Sequence, residues 1–361
     1  MLDKRRIFIL TTLIRMLAIL LTACSVQTAQ PSSSPTQVVD EIVFYDWADD
    51  YIADVFEQFT VETGIRVKYV TYESQEEAVE NMRRGEVYDV VVMENQFIPG
   101  LVADGLLAEI DFGNVPNFKN IAPQFRDLVH DPSNRHTIPN SWGTTGLVVR
   151  GDMIDQPVTR WADLWDERFA NQVVLWESTP RYTMGMALKV LVYSVNSENP
   201  VELEQAKDLL LQLKPRAIWL DDEASSAPQL LNGEAVVALG WSFDLWEAQK
   251  DNESIFFVNP EEGGILWGDN FIIPANSPRK QAAERFLNFI LRSEVSGQII
   301  NANYYPMANE AAEEFVTEEI LNDPVIYPPN SDQDKSEILL PLSIEGQAKF
   351  DEIWAELLAG N

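Results

Sequence analysis

Residues 263–276 read GGILWGDNFIIPAN, a β-rich run in which Trp267 and Asp269 stand two apart. In an extended strand, positions i and i+2 face the same way. An aromatic ring and a carboxylate therefore leave this segment together. The same residue types recur elsewhere: Trp47 with Asp49 and Asp50, Glu94 with Gln96, Trp176 with Glu177, and Trp241. A ring face attracts a cation within about 6 Å, worth roughly 0.5–2 kcal/mol depending on desolvation. A carboxylate adds a charge-assisted hydrogen bond to an ammonium. Rings hold methylene stems and acids hold charged heads, so the set describes a site for an elongated organic cation. For any one tryptophan core packing is the competing reading, because a buried indole contributes a large apolar area. Trp161 and Trp165 are read that way. Paired carboxylates could also serve glycoside hydrolysis, one protonated and one ionised. With 57 acidic side chains, however, such pairs arise easily by chance.

The elements that must position these residues read as α/β. EIVFYDW (41–47) is a strand, IADVFEQFTVETG (52–64) a helix closed by Gly64, and RVKYVTY (66–72) a second strand. Ser74 opens a capping box in which Glu77 reaches back, and YDVVVM (88–93) is a third strand, apolar almost throughout as when both faces are covered. This β-α-β-α-β series predicts a mainly parallel sheet with helices on both faces. GLVVRGD, QVVLW and AVVALGW (235–241) predict further strands. Residues 201–215 form a helix with Asn199 as cap and Pro200 at its first position, and helices follow near 279–292 and 344–359. Open α/β sheets bind ligands beyond the carboxyl ends of their strands, where Trp47, Glu94, Trp176 and Trp241 stand.

The chain has 361 residues, enough for two domains, and a formal net charge of −31. Such a polyanion is a poor partner for nucleic acid or an anionic membrane surface, and it concentrates cationic ligands. Two histidines and one cysteine, Cys24, leave little for zinc or thiol chemistry. Residues 1–23 have a basic start and an apolar stretch, the shape of an export signal. Leu21-Thr22-Ala23-Cys24 resembles the bacterial lipobox, which implies lipidation of Cys24. Removing residues 1–23 takes away Lys4, Arg5, Arg6, Arg15 and Asp3, and the charge becomes −34. Residues 24–37, rich in Ser, Gln and Pro, then form a flexible tether. The expected location is the periplasm or the outer face of the cytoplasmic membrane, with membrane attachment through the lipid alone.

Several chemistries lack their signatures. No strand is followed by GxGxxG or a P-loop, and no GxSxG elbow is present. Ser277 to Lys280 matches SxxK in form, but Ser277 as N-cap and Pro278 at N1 explain the same letters as a helix start. Residues 332–343 begin like a calcium loop with Asp332, Asp334 and Ser336, yet lack the glycine and the closing glutamate, and read as a solvated surface run.

FYDW (44–47), EQFTVETGIRV (57–67), TYES (71–74), YDVVV (88–92), SWGTTGLVV (141–149), VTRWADLW (158–165), EEGGILWGDNFIIPAN (261–276), LNFILR (287–292) and YYPMAN (304–309) follow in one order. In that order the chain resembles bacterial spermidine/putrescine-binding proteins, the solute-binding subunits of polyamine ABC importers, over nearly all of residues 41–361. The resemblance implies the two-lobed periplasmic-binding-protein fold with ligand held between the lobes. Lobe 1 is then residues 38–143 plus 269–313, and lobe 2 residues 144–268 plus 314–361. It places Trp47 on an aromatic of the site, with Asp49 as a neighbouring acid. Trp241 and Trp267 fall on rings that sandwich the methylene chain, Asp269 on the carboxylate for one amine end, and Tyr305 on a ligand-contacting tyrosine. It implies no catalysis, cofactor or metal, a monomer, and ABC permease membrane subunits as partners.

Two departures are expected to matter. Glu94, Asn95 and Gln96 stand where that family tends to have Ser or Thr with a tyrosine, so Glu94 is a candidate relocated acid. Of the acids for the far amine only Glu177 is near, with Thr179 and Tyr182 at the matching positions. A different small organic solute in the same fold is the alternative, and a hydrolase using paired carboxylates the second.

Overall fold

The computed structural model describes residues 40–47, 52–220 and 225–360. Cys24, the tether and Asp49 with Asp50 lie outside them. The strands are β1 Glu41–Trp47, β2 Arg66–Tyr72, β3 Val90–Glu94, β4 Thr137–Arg150, β5 Val173–Trp176, β6 Ile218–Leu220, β7 Val237–Gly240, β8 Ile255–Val258, β9 Ile265–Ile272 and β10 Glu337–Ile338. They run in the order β2-β1-β3-β9-β4-β7-β5-β6, with β10 on β9 and β8 on β4.

At each flank the pairing is parallel, β1 with β2 and β3, and β5 with β6 and β7. The centre differs from the expectation of a mainly parallel sheet, because β4 and β9 are antiparallel to each other, β9 to β3, and β4 to β7 and β8, while β10 alone runs parallel to β9. β4 pairs with β9 from Thr137 to Thr145, with a register shift between Pro139 and Trp142, and then turns to β7 and β8 from Gly146 onward.

Each flank has its own core. Phe44, Phe56, Phe59, Phe271 and Phe286 interlock on one face of the first, while Tyr45, Tyr72 and Met93 pack on the opposite face. Alternate residues of β1 and β3 thus enter different cores, which is why Ile42 to Tyr45 and Val90 to Met93 are apolar at consecutive positions. Trp161, Leu175, Leu203, Leu239 and Trp354 build the second flank, with Val148, Val174 and Ala238 behind them. Trp161 is fully buried there and Trp165 half-buried, so core packing is the right account of both.

The local signals position these strands as expected. Gly64 ends the first helix, Ala53–Thr63, in the left-handed region at φ 75°. Ser74 Oγ accepts from the Glu77 N–H at 3.1 Å, while Glu77 Oε2 accepts from the Glu73 N–H at 2.9 Å, one residue before the cap. Asn199 Oδ1 accepts from the Val201 N–H at 3.0 Å above Pro200. One start is displaced: the helix expected from Ser277 begins at Lys280. Ser277 Oγ instead donates to Asp89 Oδ1 at 2.7 Å and accepts from the Arg279 N–H at 3.2 Å, a turn that precedes the helix. The boundary drawn at 314 also moves. Val316, Ile320 and Ile326 pack in the first core, Val325 already touches the second, and the chain continues there through β10 and the helix Ile344–Ala359.

Candidate functional site

β3 and β9 set two carboxylates face to face. Their antiparallel register pairs Glu94 directly with Asp269, and directly opposed residues of such a pair share one face with Cβ atoms about 4.5–5.5 Å apart. Glu94 Oε1 accepts from the Tyr182 hydroxyl at 3.1 Å and Oε2 from Gln96 Nε2 at 2.7 Å. Its N–H donates to Gln75 Oε1 at 3.2 Å, and Gln75 Nε2 in turn donates to the Tyr72 hydroxyl at 3.2 Å. Asp269 Oδ2 accepts from Ser141 Oγ at 3.3 Å, while Oδ1 is buried without a hydrogen-bond partner.

Burial, the largest cause, and the charge of Glu76 push the Glu94 carboxyl up to about 7, against the pull of Tyr182, Gln96 and Arg181. Asp269 is held well above the ordinary aspartate range, first by burial and then by the charges of Glu94 and Asp46, with only Ser141 opposing. Both shifts share one largest cause, burial where solvation of the charged form is poor.

Aromatic rings stand close to this pair. Trp241 stacks on Trp176 with centroids 4.1 Å apart and planes at 24°, and Tyr182 presents its edge to both. Trp267 meets Tyr305 edge to face at 5.1 Å. Trp47, at the end of β1, packs edge-on to Tyr72 at 4.7 Å. The Trp241 ring is fixed from two sides. Its Nε1 donates to Thr145 Oγ1 at 2.9 Å, and its backbone N–H donates to Asp244 Oδ2 at 2.8 Å. Asp244, whose carboxyl burial pushes up, also accepts from Ser225 Oγ and the Ser226 N–H.

Of the residues singled out from sequence, Trp241, Trp267 and Tyr305 join one apolar cluster, and Glu94, Gln96 and Asp269 join at the β3–β9 pair. Trp47 reaches them through Tyr72 and Gln75. Glu177 stands apart from this network, its described bond being the backbone N–H to Leu220 O at 2.7 Å. Asp49 lies outside the described residues. Three participants lacked a site assignment from sequence: Trp176, Ser141 and Gln75. Trp176 had a visible signal, an aromatic at a strand end, whereas Ser141 and Gln75 had none. Polar atoms of the region stay unpartnered though buried: Trp176 Nε1, Ser178 Oγ, Thr179 Oγ1, Trp267 Nε1 and Asp269 Oδ1. Buried polar groups are nearly always hydrogen-bonded, so their concentration here marks room for a polar ligand or water.

The profile of the bacterial extracellular solute-binding protein family matches residues 54–327. This chain belongs to that family. A spermidine/putrescine-binding periplasmic protein of Salmonella typhimurium is 32% identical over 324 residues, covering 89% of this chain and 92% of the relative. The protein of that name from Escherichia coli K12 is 34% identical over 290 residues, covering 80% and 83%. The crystal structure of a spermidine/putrescine ABC transporter substrate-binding protein from Streptococcus pneumoniae, 29% identical, superposes with a TM-score of 0.79 over 89% of this chain and 99% of that one. The fold is therefore the two-lobed one of periplasmic binding proteins.

Proposed function

We propose that this solute-binding protein is a receptor for a polyamine, held by Glu94 and Asp269 at one ammonium and by Trp47, Trp241, Trp267 and Tyr305 along its methylene chain. The observation that carries the reading is the direct cross-strand pairing of Glu94 with Asp269 beside stacked rings. The relatives named for spermidine and putrescine support the ligand class. Gln96 orients Glu94, and Glu177 and Asp49 are candidates for the second ammonium.

The receptor carries out no catalysis and delivers its cargo to ABC permease subunits. Lobe 1 comprises 38–143 and 269 to about 327, lobe 2 the remainder of the folded chain, and β4 and β9 cross between them. A ligand touching both lobes favours the closed state. The protein works as a monomer outside the cytoplasm, on a lipid attached to Cys24.

Calorimetric titration with spermidine and putrescine tests the reading. Expected is saturable one-to-one binding that Asp269→Asn weakens by at least about 30-fold, the cost of leaving a buried charge unpaired. No binding of either amine would remove the ligand while leaving the family membership intact.

A further inference from the structure

We infer that Glu94 and Asp269 share one proton in the ligand-free protein and release it to solvent when an ammonium settles between them, so that cation capture is exchanged for a proton. The inference rests on the ammonium reading above and adds the protonic state of that same site.

The groups facing the pair make two ionised carboxylates untenable when the site is empty. β1 contributes Asp46 and the helix Gln75–Arg83 contributes Glu76, two more acids. β4 supplies only the Ser141 hydroxyl, and the turn after β3 only the Gln96 amide. Asn270, next to Asp269 on β9, has the buried His130 as neighbour, and burial keeps that ring below its ordinary range. Among the described residues, the cation acting on Glu94 is Arg181. Its guanidinium donates elsewhere, to Asn196 Oδ1 at 3.1 Å and Leu340 O at 3.0 Å, and lies over the Phe350 ring. The hydroxyls and amides can orient carboxylates but cannot neutralise them. Two acids this close then hold a proton jointly, and its affinity belongs to the pair.

Charge balances across the exchange. Before binding, the pair with its proton carries −1. Afterwards the two carboxylates at −2 and the ammonium at +1 again sum to −1, and the freed proton has passed to water or buffer. The unpartnered Asp269 Oδ1 supplies a lone pair for one ammonium hydrogen. A buried site thus accepts a cation without a net change of local charge.

Two measurements test this on the intact protein. Spermidine titrations at pH 6 to 8, in buffers of different ionisation enthalpy, should show close to one proton released per site near pH 6. Kd should then rise up to about tenfold per pH unit on the acid side of the pair. Glu94→Gln, which leaves Asp269 as the remaining acid of the pair, should reduce the release and move the midpoint of the pH profile. Carboxyl-carbon NMR of the ligand-free protein should show Glu94 and Asp269 titrating together above the ordinary carboxylate range. Binding without proton release, or both acids ionised at pH 6, overturns the inference. If neither spermidine nor putrescine binds while NMR shows the shared proton, the ligand reading and the exchange fall together and only the protonated pair survives.

Discussion

Gly143 forms the floor under the Trp267 indole: a Cβ at position 143 would stand 2.5 Å from the ring's Cζ2 and 2.8 Å from Cε2. The two residues face each other across β4 and β9, so any side chain at 143 must displace the ring. Gly143→Ala should keep the fold, since this glycine lies outside the left-handed region. It should weaken spermidine binding by about tenfold or more through misplacement of Trp267. Titration together with the near-ultraviolet dichroism of the indoles checks this, and unchanged affinity would show that the ring has room to move.

The stacked pair divides its roles by burial. Trp176 is 1% exposed, while Trp241 is half-buried at the site. Trp176→Ala should cost about 3–5 kcal/mol of stability, as large-to-small core changes do. Trp241→Ala should cost clearly less stability and more affinity. Urea unfolding of both variants, beside binding measurements, separates the two; equal stability losses would contradict the division.

Tyr182 donates to Glu94 and favours its ionised form. Removing the hydroxyl with Tyr182→Phe should raise the pH at which binding reaches half its maximal strength. Titration at several pH values reads the midpoint directly. A midpoint that stays put would mean that this bond has no hold on the acid.

Stability should respond to pH in the opposite sense to binding. The folded-state value of Glu94, about 7, lies above the ordinary glutamate value of 4.5. Its contribution is therefore fully present below about pH 4.5 and is lost as pH rises through 7, amounting to roughly 3 kcal/mol. The ligand-free protein should lose that increment between pH 5 and 7.5 relative to Glu94→Gln, which lacks this carboxyl and keeps only Asp269 of the pair. Urea midpoints across this range measure the difference.

Much of the frame was legible because its signals are local. Gly64, Ser74 with Glu77, and Asn199 with Pro200 each act within four residues of the end they mark. The start of β4 was not, since Pro139, Asn140, Ser141 and Gly143 all argue against a strand. Its extended form comes from pairing with β9, more than a hundred residues later in the chain. The site divides in the same way. Trp267 and Asp269 are two apart and visible as a pair, and Glu94 stood out as a departure from a familiar pattern. Trp176 was visible as an aromatic at a strand end, but its stacking on Trp241, sixty-five residues later, was not. Ser277 kept its turn chemistry but spent its hydroxyl on Asp89, a partner that spacing alone cannot show.

The order of the sheet also sets a timetable for assembly. β1, β2 and β3 arise from one continuous stretch, but the strand that completes their edge is β9, and Glu94 meets Asp269 only across a gap of 175 residues. Closing so long a loop is slow, and contacts of this separation dominate the folding time. A chain emerging from the ribosome therefore carries Glu94 long before its partner exists. The first half of the sheet keeps an unpaired edge until nearly three quarters of the polypeptide has been made. Binding competence therefore arrives late in synthesis, once β9 has emerged to meet β3.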